Sequence, residues 1–228
     1  MDPTPAPDAH GLVVDDLARR FGQRWAVARI GFTLPRGQAC MVTGANGSGK
    51  TTLLRCVATA LKPHHGRIRF AKVDLWRQRR VVRSRIALLS HATRLYEDLD
   101  ARGNLRTWAS LGGLEADIPD LLQQVGLPPS RTDPVKTFSA GMRRRLALAR
   151  VLLKRPDLLL LDEPFTALDP EGRDLVIRLV GELQAQGTTL LVATHLPAVA
   201  GRLCAHHIHM ESGRITESTL PNTVKGAG

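Results

Sequence analysis

Aromatic residues make up only 4% of the 228-residue chain, with a single tyrosine. That is too few for the interleaved basic and aromatic surface on which single-stranded nucleic acid stacks. Cysteine is equally sparse: Cys40, Cys56 and Cys204 are odd in number, far apart and outside any C-x-x-C pair. This argues against a disulfide framework or a cysteine zinc site, and three small buried side chains in a reducing compartment are expected instead. Long apolar runs are missing too. Stretches such as Leu158 to Leu161 are strand-sized, whereas a bilayer span takes about 20 residues, so the chain is expected to reach a membrane only when another protein holds it there. Residues 1–10 carry prolines at 3, 5 and 7 and no basic residue; they lack the charged start and apolar stretch of an export signal and read as a flexible leader.

Acidic residues are in deficit. Against 32 Lys+Arg, of which 26 are arginine, stand 21 Asp+Glu, for a net charge of +11. Such a balance points to an anionic partner: nucleic acid, phospholipid headgroups or nucleotide phosphates. With 43% hydrophobic residues the chain can bury a full core and is not disordered.

Short β-type runs alternate with helical stretches, and no internal repeat is present. Strands are expected at Leu12 to Asp15, Ile30 to Leu34, Ala39 to Thr43, Arg67 to Ala71, Ile86 to Ser90, Leu158 to Asp162, Thr189 to Thr194 and His206 to Glu211, the last closing a hairpin with Arg214 to Glu217 around Ser212-Gly213. Leu158 to Leu161 and Leu190 to Ala193 are uniformly apolar, as strands covered on both faces are. An α/β fold with a partly parallel sheet follows. Residues 102–155 have almost no β signal and read as an inserted helical subdomain, while 219–228 read as a frayed tail.

The sequence Gly44-Ala45-Asn46-Gly47-Ser48-Gly49-Lys50-Thr51 fits G-x-x-x-x-G-K-[ST] and lies between an apolar strand and a helical run, Thr51 to Leu61, as a phosphate loop requires. Its glycines let backbone N–H groups converge on phosphate, and the helix adds its positive N-terminal end. Lys50 would bridge phosphates and the Thr51 hydroxyl would ligate Mg²⁺. Asp162-Glu163 follows the four-leucine strand, at the carboxyl end where ligands of open α/β sheets bind. Asp162 suits Mg²⁺, and Glu163 can polarise an attacking water.

These residues resemble the nucleotide-binding subunit of an ATP-binding-cassette (ABC) transporter, over essentially the whole span from Leu12 to Glu217. The resemblance implies a P-loop NTPase core with an antiparallel β subdomain and the inserted helical subdomain, within one ATPase domain over 11–218. Phe21 sits where the family places an aromatic ring on adenine. Gly44 to Thr52 matches its phosphate loop, and the segment from Ile86 to Leu105 matches the loop into the helical subdomain, with His91 where glutamine is usual and thus a further candidate metal contact. Phe138-Ser139-Ala140-Gly141-Met142 matches the signature L-S-G-G-Q, with Ala140 and Met142 departing from it. Asp169 closes a loop implied to contact the dimer partner, and His195 matches the histidine at the γ-phosphate, paired with Glu163 for hydrolysis.

The resemblance implies ATP and Mg²⁺ as cofactors, a second copy meeting the first head to tail with ATP sandwiched between them, and multi-spanning membrane subunits that hold the chain at the cytoplasmic face of the membrane. No specific nucleic acid is expected, and no N-K-x-D guanine element occurs. Within the family the Ser90-His91 pair, Leu95 to Leu99, the F-S-A-G-M signature and Leu161 to Pro170 look most like the haem-exporter ATPase of the cytochrome c maturation system. The alternatives are the ATPase of another small-molecule exporter, or a soluble ABC ATPase acting on nucleic acid or ribosomes. The histidines His206, His207 and His209 read as solvated or edge residues. The arginines at 77, 79, 80, 83 and 85, and Arg143 to Arg145, lie outside the catalytic set and read as solvated faces or intramolecular pairs, or in part as contacts to acidic loops of membrane subunits or to lipid headgroups.

Overall fold

The computed structural model describes residues 11–90 and 92–224. Two sheets share the core. The first is antiparallel, in the order β2-β1-β4-β5, from β1 (Leu12–Phe21), β2 (Arg24–Leu34), β4 (His65–Phe70) and β5 (Val73–Asp74). The second has the order β10-β9-β3-β8-β7-β6, from β3 (Ala39–Thr43), β6 (Ile86–Leu89), β7 (Leu158–Asp162), β8 (Thr189–Ala193), β9 (His206–Glu211) and β10 (Arg214–Ser218). Its strands β9, β3, β8, β7 and β6 are parallel, and β10 closes it as an antiparallel hairpin with β9. The helices are α1 (Lys50–Val57), α2 (Arg79–Val82), α3 (Ala101–Gly112), α4 (Ile118–Gln124), α5 (Ala140–Lys154), α6 (Pro170–Ala185) and α7 (Pro197–Ala200).

All four leucines of β7 are fully buried, because alternate residues feed different clusters. Leu159 and Leu161 pack with α5 and α6 residues such as Leu148 and Leu179, while Leu158 and Leu160 pack with α1 and the antiparallel sheet. At about 1.5–3 kcal/mol for each fully buried leucine, this strand is a major source of stability. It carries Asp162 rigidly at its end.

β1 and β2 run further than their sequences suggest. Asp16 and Arg29 adopt left-handed backbone with φ of 47° and 51°, and the β1–β2 register slips between Val14 and Leu17. These bulges interrupt the period-two alternation that marks a strand. Helix α1 stops at Val57 rather than Leu61 because Thr59 turns left-handed, φ 56°; the Arg83 guanidinium then takes both the Thr59 hydroxyl and its carbonyl, each at 3.1 Å.

Residues 219–224 are not frayed. Leu220 is buried, the Thr219 N–H donates to the His207 carbonyl and the Val224 N–H donates to the Gly31 carbonyl. The expected leader at 1–10 and the rest of the tail, 225–228, lie outside the described residues. β9 is an interior strand, so His207 and His209 are not edge residues: His207 Nε2 and His209 Nδ1 converge on the Thr43 hydroxyl at 2.6 and 2.9 Å. The three cysteines are free and buried.

Candidate functional site

The loop between β3 and α1 is wedged between two backbones. A Cβ on Gly44, φ 138°, would lie 2.1 Å from the Met210 carbonyl oxygen, and one on Gly49, φ 108°, 2.1 Å from that of Ala26. Only glycine fits at either place. The turn of the β9–β10 hairpin pins the loop further, the Gly213 N–H donating to the Ser48 carbonyl at 3.0 Å. Within this frame Lys50 is buried, and its ammonium donates to the carbonyls of Gly44 at 2.7 Å and Ala45 at 3.0 Å. Ala45, Asn46 and Gly47 are exposed at the rim. The Ser48 hydroxyl is buried without a partner among the described residues.

Thr51, in the first turn of α1, donates its hydroxyl to Asp162 Oδ1 at 2.9 Å; Thr52 follows it, half-buried. This bond joins the phosphate loop to the end of β7. Asp162 is only 4% exposed, a burial that an ionised carboxylate tolerates when hydrogen-bonded or beside a cation. Glu163, next in the chain, has φ 52°, a left-handed conformation that is costly for a non-glycine residue. Its N–H donates to the Ala193 carbonyl of β8 at 2.9 Å. Its Oε2 accepts from the His195 backbone N–H at 3.3 Å and lies 2.7 Å from His195 Nδ1.

The loop and the carboxylates suit a magnesium nucleotide. A glycine cradle that no side chain could share, a lysine whose present partners are only carbonyls, an orphan serine hydroxyl and a hydroxyl–carboxylate pair are the donor set such a ligand uses. Among the described residues no three His, Cys, Asp or Glu side chains form a metal cage.

Residues 27–166 match the family model described as "ABC transporter". The chain belongs to the ABC transporter ATP-binding family. This ABC subunit binds ATP with Mg²⁺ and hydrolyses it. It is 37% identical to the daunorubicin resistance ATP-binding protein DrrA3 of Streptomyces coeruleorubidus, over 94% of this chain and 69% of that one. With the cytochrome c biogenesis ATP-binding export protein CcmA of Nitrosococcus oceani it shares 38% identity over 81% of this chain and 85% of that one. Its structure is similar to that of an ATP-binding subunit of an ABC transporter, with a TM-score of 0.84 at 27% identity over 93% of this chain and 90% of that one.

Elsewhere in the ABC subunit, Ser139 is the N-cap of α5, its hydroxyl accepting from the Met142 N–H at 3.2 Å, and Asp169 caps α6 by accepting from the Gly172 N–H at 2.8 Å. A Cβ on Gly141 would be 3.7 Å from the Ala167 carbonyl, so α5 starts against the turn that leads to Asp169. These contacts run within the helical side of the molecule rather than to 44–52. Phe21 is 51% exposed at the end of β1, with the Arg19 guanidinium over its ring at 5.0 Å; it is not a core aromatic. Trp25, also exposed, stands opposite Arg20 one register step away. His91 lies outside the described residues.

One arginine departs from its expected place on a solvated face. Arg144 is 6% exposed, and its guanidinium donates to the carbonyls of Ser90 at 2.7 Å, Asp162 at 3.0 Å, Glu163 at 2.6 Å and Pro164 at 3.4 Å. Burial pushes its pKa down, and the carboxylates of Asp162 and Glu163 partly offset that. The other cluster is also partly tied down, with Arg83 on Thr59 and Arg85 paired with Asp157.

Proposed function

We propose that this chain is the ATPase of an ABC exporter, with haem handling in cytochrome c biogenesis as its task. The observation that carries the reading is the meeting of Thr51 with Asp162 and of Glu163 with His195 at the carboxyl edge of the parallel sheet.

In this reading the N–H groups of the loop from Gly44 to Gly49 receive phosphate oxygens, and Lys50 moves from its carbonyl partners to phosphate. Thr51 and Asp162 would hold the cation, and the family resemblance makes His91 a further candidate ligand. When bound, Mg²⁺-ATP supplies the phosphoryl group that passes to water, and the metal offsets charge as the bond breaks. Glu163 takes the proton of that water through the carboxylate oxygen not engaged by His195. His195 in turn keeps the carboxylate aimed and stands ready for the γ-phosphate. Phe21 offers its exposed ring to adenine.

Ser139 and Gly141 lie at the start of a 15-residue helix, whose free N–H groups and dipole favour an anion. We read them, with Asp169, as facing a second copy bound head to tail, so that each copy closes on ATP held by the other. A related fold with 21% identity is described as a dimeric cassette in a post-hydrolysis state bound to ADP and Pi. Among the described residues no helix is long and apolar enough to cross a membrane, and membrane-spanning subunits are the partners that would hold the chain at the cytoplasmic face.

The haem assignment is supported by the residue combination around Ser90, Leu95 to Leu99 and Phe138 to Met142, and by the similarity to CcmA across 85% of its length. A second reading, export of a drug-like molecule, is favoured by the match to DrrA3 over 94% of this chain. Purifying the tagged protein from membranes in mild detergent and deleting its gene separates them. Co-purifying multi-spanning proteins together with loss of c-type cytochromes supports haem handling. Normal c-type cytochromes with lost drug efflux support the second reading, and recovery only with ribosomes or DNA defeats both.

A further inference from the structure

Arg144 lies in the second turn of α5, the helix that begins at Ser139. Its buried guanidinium reaches two other segments, the end of β6 through Ser90 and the end of β7 through Asp162, Glu163 and Pro164. It leaves the two carboxylates to other partners. Asp162 Oδ1 accepts from Thr51, and Glu163 Oε2 faces His195. What Arg144 grips is the backbone from which those carboxylates hang, including the carbonyls before and after the left-handed φ of Glu163.

A packing role alone is met by apolar side chains, as Leu148 and Val151 show on the same buried side of α5. A buried cation is an expensive way to fill space. A planar fork with five N–H donors is, however, suited to several carbonyls that face one point from different segments, whereas a lysine offers three donors from a single atom.

We propose that Arg144 is a positioning residue that locks the backbone of Glu163 to helix α5, so that displacement of this helix displaces the hydrolytic carboxylate. The chain of contact is continuous: the N-terminus of α5, Arg144, the backbone of 162–164, the Glu163 side chain and His195. Hydrolysis is then sensitive to where the signature helix stands, while the phosphate loop, held by β2 and the β9–β10 hairpin, keeps its affinity for nucleotide. The inference rests on the reading of Glu163 as the base.

The test is Arg144→Lys in the full chain, with turnover at saturating Mg²⁺-ATP and ATP affinity by equilibrium titration. Turnover is expected to fall at least about tenfold, as a slightly misplaced catalytic group causes, with ATP affinity close to that of the wild type. Turnover within a factor of about two overturns the inference, and so does a loss of affinity as large as the loss of turnover, which is what general disruption of the site produces. If Arg144→Lys does not fold, Arg144→Gln, with two N–H donors and no buried charge, is read the same way. Glu163→Gln in parallel keeps the two claims apart. Full turnover in that variant defeats the base itself, whereas an inactive Glu163→Gln beside a fully active Arg144→Lys defeats only the positioning role.

Discussion

Lys50 is buried with its ammonium on two carbonyls of its own loop, and those bonds are what phosphate oxygens would replace. Lys50→Ala is expected to weaken ATP binding by at least about tenfold, since a hydrogen bond from a charged group contributes roughly 1.5–3 kcal/mol. Equilibrium titration with ATP checks this, and unchanged affinity removes the lysine from the site. Lys50, Thr51, Asp162 and Glu163 stood out as candidates in the sequence because each follows an apolar strand at a motif spacing, and strand ends are where the chain must turn; His195 became a candidate only through the family resemblance. Arg144 was not legible. Three arginines in a row read as a solvated face, yet Arg144 stands one turn before Leu148 and two before Val151, all buried, so it lies on the inner stripe of the helix. Helical period applied residue by residue finds it, whereas the charge run hides it.

At the scale of elements, the β9–β10 hairpin braces the phosphate loop through the Gly213 bond to Ser48, the close approach of Met210 to Gly44, and the His207–Thr43–His209 contact. The hairpin itself was readable from Ser212-Gly213; its partner strand was not, because parallel pairing with β3 is a long-range choice that no local pattern encodes. Burial first, and the neighbouring His209 second, push the pKa of His207 below the ordinary histidine value, with Glu217 partly opposing. The unfolded chain then takes up the proton at a higher pH than the fold does. Stability is therefore full above about pH 6.5 and declines as pH falls from there through the lower folded value. His207→Gln is expected to flatten this acid limb in urea unfolding between pH 7.5 and 5.5. Identical pH dependence in wild type and variant contradicts it.

For the molecule as a whole, β7 does two jobs with one sequence. Its four buried leucines make the strand a centre of both hydrophobic clusters, and the same rigidity fixes Asp162 opposite Thr51. Leu160→Ala is expected to cost about 2–5 kcal/mol of stability, as buried leucine truncations do, read as a lowered urea midpoint; a loss under about 1 kcal/mol would mean that the strand is not central to the core. In the proposed reading, the helical part adds Ser139 for a second copy and Arg144 for Glu163 around this rigid edge, so that binding and hydrolysis draw on different segments. The antiparallel sheet was only half legible, since the bulges at Asp16 and Arg29 break its alternation. The most direct test of the account is Glu163→Gln in the full chain, with ATP binding and phosphate release measured together. ATP affinity is expected to stay close to that of the wild type while phosphate release falls by at least about a hundredfold, the scale of a lost general base. Phosphate release at the wild-type rate would contradict it.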